Sequence, residues 1–293
     1  MNARLARRKF LAAGAACATA VLPGRTRGRS TDPPGDEPVL DIHQHTGYLF
    51  RSDRQLVAHQ RKMGATKTVL LPAGRQVRRP STHNGSSNGL KGNILGNESA
   101  MALAKRHPDL FVFGANEVPD LPDARKVLEK YLKAGAVVIG EQKFNVPCDS
   151  PHIWALAEIA REHDVPVLLH FEHNRYNLGI ERFHRTLEKF PEVNFVGHAQ
   201  TWWGNIDKNH NQHQHYPKGP VTPGGITDQL LLNHPNLYGD LSAGSGLNSM
   251  LRDEEHARSF LERHQDRLLF GSDCWDPAGQ SKGCRGTVIL STI

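Results

Sequence analysis

Histidines and carboxylates, the residue types that commonly bind metal ions, lie at or near the ends of separate strand-like segments. Their distribution constrains the fold more than any other feature of the sequence. They are spread from residue 43 to residue 273, too widely for one local motif. They are His43, His45, Glu141, His170, His198 and Asp273. Side chains so distant in sequence can converge only if the strands run parallel and their carboxyl ends share one rim. The pattern therefore predicts an α/β chain folded as a (β/α)8 TIM barrel with a metal-binding rim.

Strand-like and helix-like segments alternate along the chain, as βα units require. The predicted strands are short and apolar, which is typical of strands buried on both faces. They cover residues 39–43, 67–71, 110–115, 137–143, 166–170, 193–198, 236–241 and 267–272. Amphipathic periodicity and capping residues predict helices near 52–63, 97–107, 123–134, 179–190, 225–234 and 253–264, and one more that starts at Ser150. Two long loops, 73–97 and 199–224, are expected to overhang the rim and shape substrate access.

The first 30 residues form a basic segment unlike the rest of the chain. Arg7 and Arg8 precede Phe10, and a small apolar run covers 12–22. This pattern predicts a twin-arginine-type export signal and hence a periplasmic or secreted protein, with an ordinary Sec signal or a basic tail as the alternatives.

After that segment, residues 31–38 are expected to form a linker and 39–293 the barrel domain. Seven of the 36 basic residues lie in the signal segment, which leaves 29 against 30 acidic residues in the remainder. The near-neutral remainder argues against nucleic acid as a partner and leaves a small molecule as the expected one. No apolar run approaches the roughly 18 residues that a membrane span needs.

The C-terminal end does not match a complete barrel. Twenty residues follow Asp273, and the last seven, 287–293, are apolar and too short for an ordinary helix. We therefore expect the eighth helix to be missing, as in a truncated or frame-shifted reading frame, and the barrel to be destabilised on that side.

The four cysteines show no zinc-finger spacing. They are Cys17, Cys148, Cys274 and Cys284. Cleavage of the leader would leave three, so one disulfide can form in an oxidising compartment, but the sequence does not choose the pair.

The residues of the first strand supply the strongest local signal for a metal. His43 and His45 are two residues apart on a strand, so both imidazoles are expected to face the barrel axis. Imidazole is a common zinc ligand. A single histidine at the end of an apolar strand is more often a structural residue, but the repetition at several strand ends favours a metal site.

The chain resembles the amidohydrolase-related (amidohydrolase 2) branch of the amidohydrolase superfamily over roughly residues 39–275. The motifs that carry the resemblance are Asp41-Ile42-His43-Gln44-His45, Gly140-Glu141-Gln142-Lys143-Phe144, Leu169-His170-Phe171, Gly197-His198-Ala199 and Gly271-Ser272-Asp273. The resemblance implies that His43, His45 and Asp273 bind one divalent ion, with zinc the expected metal. It also implies that His170 and His198 can bind a second ion and that Glu141 bridges the two.

Glu141 and Lys143, which both lie in the predicted fourth strand, leave the number of bound ions open. If Glu141 bridges two ions, Lys143 can bind an anionic group of the substrate. The alternative role of Lys143 is structural, as the partner of Glu141 in an ion pair. In single-metal members of the branch the strand-4 residue need not bind, and His198 acts on the substrate or on water.

The resemblance implies hydrolysis of an amide, ester or lactone bond. Asp273 would accept a proton from the attacking water, and His198 or the metal would polarise the scissile carbonyl. The alternatives are a non-oxidative decarboxylase or hydratase of the same branch, and an inactive metal-binding remnant left by a missing eighth helix.

Three further residues are candidates for substrate binding. Glu172 follows His170 by two positions, Asp240 ends the seventh strand, and Trp202 lies in the long sixth loop. Each has a structural alternative: a surface carboxylate, a turn cap and an aromatic loop anchor, respectively. The substrate and the oligomeric state stay open, and a homo-oligomer is compatible with the sequence.

Overall fold

The computed structural model describes residues 38–87, 90, 92–277 and 284. The expected signal segment, nearly all of the linker and the segment expected to lack the eighth helix lie outside the described residues. Within the described residues, no helix is long and apolar enough to cross a membrane.

Among the described residues, eight parallel strands form two sheets, one with the order β1-β2-β3 and the other with the order β4-β5-β6-β7-β8. The strands are β1 Val39–Gln44, β2 Ala65–Leu70, β3 Phe111–Phe113, β4 Ile139–Gln142, β5 Val167–His170, β6 Phe195–His198, β7 Leu237–Asp240 and β8 Leu268–Leu269. Each of the eight predicted segments overlaps one of these strands. The last strand is shorter than predicted because the chain turns toward β1 after Leu269, where the Ser272 N–H donates to the side chain of Asp41.

Hydrogen bonds join the edges of the two sheets. At one edge Ala115 pairs with Ile139 in an isolated parallel bridge. At the other, the Ile42 N–H donates to Phe270 O at 3.0 Å, and the Asp273 N–H donates to His43 O at 2.8 Å. The strand ladders of the described residues do not close into one continuous ring, but the parallel strands and alternating helices are those of an α/β barrel. The contacts at the second edge place the ends of β1 and β8 side by side.

Nine α-helices are found in the described part of the chain. They are α1 Asp53–Lys62, α2 Asn97–Arg106, α3 Ala124–Lys133, α4 Pro151–His163, α5 His184–Lys189, α6 Gln200–Gly204, α7 Ile226–Asn233, α8 Ala243–Leu251 and α9 Glu254–His264. The start of α1 is a capping box, in which Ser52 accepts from the Gln55 N–H and the Gln55 side chain accepts from Ser52. Ser150 caps α4, which begins with a proline as predicted.

The helices differ from the prediction in three places. Residues 179–190 contain a 3-10 turn, Ile180–Arg182, before α5 rather than one continuous helix. The loop predicted at 199–224 begins with α6, because Trp202 and Trp203 bury their rings in the core and a helical turn allows both to pack inward. The third difference is α8, whose glycine-rich sequence gave no helical signal.

The core has two parts, which face opposite sides of the strands. The larger part fills the space between the strands and the helices. The smaller lies on the side of the strands that faces the barrel interior and consists of Ile42, Val69, Leu71, Val138, Leu168 and Val196. His170 and His198 follow Leu168 and Val196 by two positions, so their side chains continue this inner layer toward the carboxyl ends of the strands.

Candidate metal centre

The six residues predicted as metal ligands converge at the carboxyl ends of the strands. His43 Nε2 lies 3.2 Å from His45 Nε2, and both nitrogens face Glu141 Oε2, at 3.3 and 3.5 Å. Asp273 Oδ1 lies 3.4 Å from His45 Nε2. These four side chains are buried except for part of Asp273, whose side chain is 15% exposed. One face of the cluster therefore reaches solvent through the strand-8 carboxylate.

The other oxygen of Glu141 faces the second pair of histidines. Glu141 Oε1 lies 2.5 Å from His170 Nδ1 and 3.9 Å from His198 Nε2. His198 Nε2 is also 4.0 Å from Asp273 Oδ2. Glu141 thus stands between two histidine pairs and presents one carboxylate oxygen to each.

Backbone irregularity turns the strand-1 and strand-4 ligands inward. The pairing register shifts between Asp41 and Gln44 in β1 and between Ile139 and Gln142 in β4. Since Val138 faces the inner layer, strict alternation along β4 would point Glu141 outward. The shifted stretch reverses that direction, which simple periodicity would not have indicated.

The residues of this centre fit a divalent cation. Their ligand atoms form three groups within 4.8 Å: His43, His45 and Glu141; His43, His198 and Asp273; and Glu141, His170 and His198. Two buried atoms of the centre, His170 Nε2 and Asp273 Oδ1, have no hydrogen-bond partner among the described residues. Imidazole nitrogens and carboxylate oxygens are the donors that zinc-class ions prefer.

The charge balance of the centre also favours a cation. Burial would lower the pKa of His43, but the negative charges of Asp273, Asp240 and Glu141 raise it well above its usual value. This excess of buried negative charge is what a divalent ion would neutralise.

Asp240 and Ser242 form a second layer behind two of the histidines. Asp240 Oδ2 lies 2.7 Å from His43 Nδ1 and accepts from Ser242 Oγ at 2.9 Å. Ser242 Oγ in turn lies 3.1 Å from His198 Nδ1. These contacts leave the Nε2 atoms of both histidines directed at the centre, a role that carboxylates commonly play behind metal-binding histidines.

This arrangement revises the interpretation of Asp240, which the sequence suggested as a substrate-binding residue. Its side chain is fully buried, and its backbone oxygen accepts from Trp203 Nε1 at 2.7 Å. We therefore assign it the orientation of His43. Ser242 was missed altogether, and its only signal is its place two residues after Asp240, where side chains on a strand share a face.

Asp41 was also missed, because it is only the first residue of the strand-1 motif. Its buried carboxylate accepts from Gln60 Nε2 at 3.1 Å and from both the N–H and the hydroxyl of Ser272. It therefore ties β1 to the residue that precedes Asp273.

Lys143 and Glu172 lie beside the centre, near His170. The Lys143 ammonium group stands over the ring of Tyr176, 5.4 Å from its centroid. Among the described residues it makes no ion pair with Glu141. Glu172 pairs with Arg175 at 2.8 Å, lies 3.5 Å from His170 Nε2 and lines a cavity of about 260 Å³.

Trp202 lies in the core rather than on the rim. The ring is fully buried, packs 5.8 Å from the ring of Phe171 and covers Gly197 closely. No face of it is exposed to stack on a substrate, so its proposed binding role has no geometric support.

A family model described as Amidohydrolase matches residues 94–280, which include Glu141, His170, His198 and Asp273. The chain belongs to the amidohydrolase family. No curated protein sequence matches this amidohydrolase. The family match confirms the resemblance predicted from the motifs.

Solved structures confirm the TIM-barrel fold of this amidohydrolase. An uncharacterized TIM-barrel protein from Bordetella bronchiseptica is 18% identical over 81% of this chain and 74% of its own, with a TM-score of 0.54. A probable 2-pyrone-4,6-dicarboxylic acid hydrolase from Acinetobacter baumannii with citric acid bound is 12% identical over 87% and 91%, with a TM-score of 0.54. A 2,6-dihydroxybenzoate decarboxylase from Rhizobium is 13% identical over 88% and 92%, with a TM-score of 0.53. At these identities the likeness concerns the fold alone.

Proposed function

We propose that this amidohydrolase is a metal-dependent hydrolase that cleaves an amide, ester or lactone bond of a small molecule. The observation that carries the proposal is the position of Glu141. Its Oε2 lies 3.3 Å from His43 Nε2, and its Oε1 lies 2.5 Å from His170 Nδ1. A carboxylate that presents one oxygen to each of two ligand groups suits a bridge between two ions, which hydrolases hold about 3.5–4 Å apart.

The residues around the centre suit water-driven cleavage. A bound zinc-class ion lowers the pKa of water toward about 7 and so makes hydroxide available near neutral pH. Burial would raise the pKa of Asp273, but the charge of His43 and the contact with His45 lower it to about 2, so the carboxylate is ionised at neutral pH. Its solvent-facing side can therefore accept the proton of the attacking water and return it to the leaving group.

His198 has two roles that depend on the number of ions. With two ions it is a ligand on the Glu141 Oε1 side. With one ion its imidazole, which is neutral because burial lowers its pKa to about 4, would act on the attacking water through Nε2, which is left unprotonated because Nδ1 donates to Ser242 Oγ.

The test combines metal content with hydrolysis. Protein purified without chelator is assayed by metal mass spectrometry and with three probes: an aryl ester, an anilide and a five-membered lactone. We expect about two ions per chain in the wild type, about one in Glu141→Gln and none in His43→Ala/His45→Ala, with hydrolysis reduced at least about 100-fold in both variants. Hydrolysis of all three probes unchanged in the metal-free variant would contradict the proposal.

A lyase is the second candidate, and the fold shared with a 2,6-dihydroxybenzoate decarboxylase favours it. The same preparations are offered an aromatic carboxylate, and the release of CO2 is measured. Metal-dependent CO2 release without hydrolysis of any probe would replace hydrolysis with decarboxylation. An inactive metal-binding remnant would bind metal and turn over neither class.

We also propose that the enzyme is exported, on the support of Arg7 and Arg8 in the basic N-terminal segment. Cell fractionation of the full chain and of Arg7→Lys/Arg8→Lys tests this. We expect the wild type in the periplasm or medium and the variant inside the cell. Export of the variant at the wild-type level would contradict the twin-arginine route.

A further inference from the structure

A second cluster of ligand-type side chains lies next to the candidate metal centre but shares none of its ligands. It consists of His59 on α1, Cys274 directly after Asp273, and Cys284. Each of the three is at most 1% exposed. Cys274 and Cys284 form a disulfide with a Cα–Cα distance of 5.5 Å, and His59 Nε2 lies 3.2 Å from Cys284 Sγ. The ligand atoms of all three residues lie within 4.8 Å of one another.

His59 supplies a second observation that points to a ligand. The imidazole is buried on α1, and its Nδ1 has no hydrogen-bond partner among the described residues. Its other nitrogen is directed at sulfur rather than at an oxygen acceptor. Burial, helped by the charge of Arg51, lowers the pKa of His59 to about 4, so the ring is neutral near pH 7. A buried neutral imidazole against two sulfurs is the arrangement of a Cys2His zinc site more than that of a core residue.

We propose that His59, Cys274 and Cys284 form a redox-gated site for a thiophilic divalent cation, closed as the disulfide and open as the dithiol. This set differs chemically from the candidate metal centre. Sulfur and imidazole ligands select zinc-class and softer ions, whereas the centre at Glu141 and Asp273 offers carboxylates. The proposal is independent of the reaction catalysed at that centre.

The opening step is a thiol–disulfide exchange with a dithiol reductant. The reductant gives two electrons and two protons to the Cys274–Cys284 bond, which breaks into two thiols, while the reductant becomes a disulfide. On binding a cation, both thiols release their protons, and the two thiolates and His59 Nε2 occupy three positions of a tetrahedral site. Exchange with an oxidised partner of the same class reverses the sequence and releases the ion.

The position of the cluster gives the gate a structural consequence. The carbonyl oxygen of Cys274 accepts from Gln44 Nε2 at 2.9 Å and from Arg51 Nη1 at 2.6 Å. Gln44 lies between His43 and His45, and Asp273 precedes Cys274. The disulfide, or a cation bound by the two thiolates and His59 after reduction, would therefore fasten the chain after β8 beside His43, His45 and Asp273 of the candidate metal centre.

The test uses Co²⁺, whose thiolate complexes absorb by charge transfer from sulfur. Wild-type protein is compared before and after reduction with a phosphine, which does not itself offer thiols. We expect the reduced protein to bind about one more equivalent of Co²⁺ than the oxidised protein and to show the sulfur band. The ligands of the candidate metal centre contain no sulfur, so that centre cannot produce the band.

Variants assign the band to the three residues. Cys274→Ser and Cys284→Ser should each lose it. Cys148→Ser, the matched control at another buried cysteine, should keep it. His59→Asn should keep the band but weaken Co²⁺ binding at least about tenfold. His43→Ala/His45→Ala should keep the sulfur band and should still bind about one additional equivalent of Co²⁺ after reduction.

Several results would overturn the proposal. The cluster would be a plain disulfide if reduction added no Co²⁺ to the wild type or produced no sulfur band. A band that persisted in Cys284→Ser, or that disappeared in Cys148→Ser, would place the sulfur ligand elsewhere. If a serine variant failed to fold, reduction of the wild type would still decide the question, because the oxidised wild type is its own control.

Discussion

The ring orientation of His43 and His45 depends on the atoms that contact their Nδ1 nitrogens, which lie on the side of each ring away from the candidate metal centre. His43 Nδ1 contacts Asp240 Oδ2 at 2.7 Å, and His45 Nδ1 donates to Leu71 O at 2.7 Å. Both contacts leave Nε2 facing the centre. The carboxylate behind His43 also makes the imidazole a better donor to a cation, since it stabilises the remaining N–H.

Replacing Asp240 by Asn should weaken metal binding without removing a ligand. The amide keeps the shape but loses the charge, so we expect the affinity for Zn²⁺ to fall about 10- to 100-fold. Competition with a chromogenic chelator measures it. Asp228→Asn is the matched control, because Asp228 is also a buried carboxylate 2.7 Å from a histidine, His264, but lies away from the centre. Equal losses of affinity in the two variants would contradict the orienting role.

The positions of the candidate metal ligands could be predicted from the sequence, whereas the residues that orient those ligands could not. An apolar strand that ends in His170 or His198 indicates both the position and the direction of the side chain. The sequence indicates only that Asp240 ends a strand and that Trp202 follows one, and it does not show that the Trp202 ring packs into the core. Which way each points depends on packing between elements distant in sequence, such as the contact of Trp203 Nε1 with the Asp240 carbonyl.

At the scale of elements, Asp228 of α7 joins that helix to α9. Its carboxylate accepts from His264 Nε2 at 2.7 Å and from Arg263 Nη1 at 2.8 Å. Burial would raise the pKa of Asp228, but these two hydrogen bonds lower it below its usual value. A carboxyl with a lowered pKa stabilises the folded state when ionised.

The stability of the wild type should therefore fall in acid partly through Asp228. Its contribution is complete above about pH 5 and disappears as the pH falls through about 3.9, the unfolded value, toward the lower folded pKa. At pH 7 we expect Asp228→Asn to lose about 2 kcal/mol of unfolding free energy. Urea unfolding between pH 3 and pH 7 measures both proteins, and their difference should shrink toward the acid end. A constant difference would mean that the ionised carboxylate is not the cause.

Helix α8 shows why part of the fold escapes the sequence. Glycine is a poor helix former, so a segment with Gly244 and Gly246 gave no helical signal. A Cβ at Gly246 would lie 2.2 Å from Leu241 O, whereas one at Gly244 would meet only Tyr216, at 3.6 Å. Tertiary packing of α8 against the chain after β7 therefore requires the glycine that local propensity counts against.

Alanine substitutions at these two glycines should change the stability of the fold by different amounts. Gly246→Ala should lower the unfolding free energy by about 2–3 kcal/mol, since the contact is with backbone and cannot move away easily. Gly244→Ala should stay within about 0.5 kcal/mol of the wild type. Thermal and urea unfolding compare the two variants. Equal stability would show that α8 shifts to accept the methyl group.

At the scale of the whole molecule, the candidate metal centre connects the two sheets. His43 lies in β1 of the first sheet and His45 directly follows that strand, while Glu141, His170 and His198 come from the second sheet. Few backbone hydrogen bonds join the sheets at the β8–β1 edge, so an ion bound by residues of both would add a cross-link there. Eight strands were predictable from sequence, but this division into two sheets was not, because it depends on register between strands that are far apart in the chain.

Removal of the ion should consequently lower the melting temperature. A ligand that binds only the folded state, at 1,000 times its dissociation constant, stabilises it by about 4 kcal/mol. For a domain of this size that corresponds to a decrease of about 10 °C on chelation. Scanning calorimetry with and without a chelator measures the decrease, and added Zn²⁺ should reverse it.

The control for that experiment is His43→Ala/His45→Ala, which should melt at one temperature with or without chelator. Keeping the Cys274–Cys284 disulfide oxidised ensures that only the candidate metal centre can respond. A wild type that is insensitive to chelator would show that the sheets hold together without an ion. A double variant that still loses stability would place the responsible ion at another site. Only a response confined to the wild type would link stability to the ligands of β1, because those two imidazoles are the sole difference between the proteins.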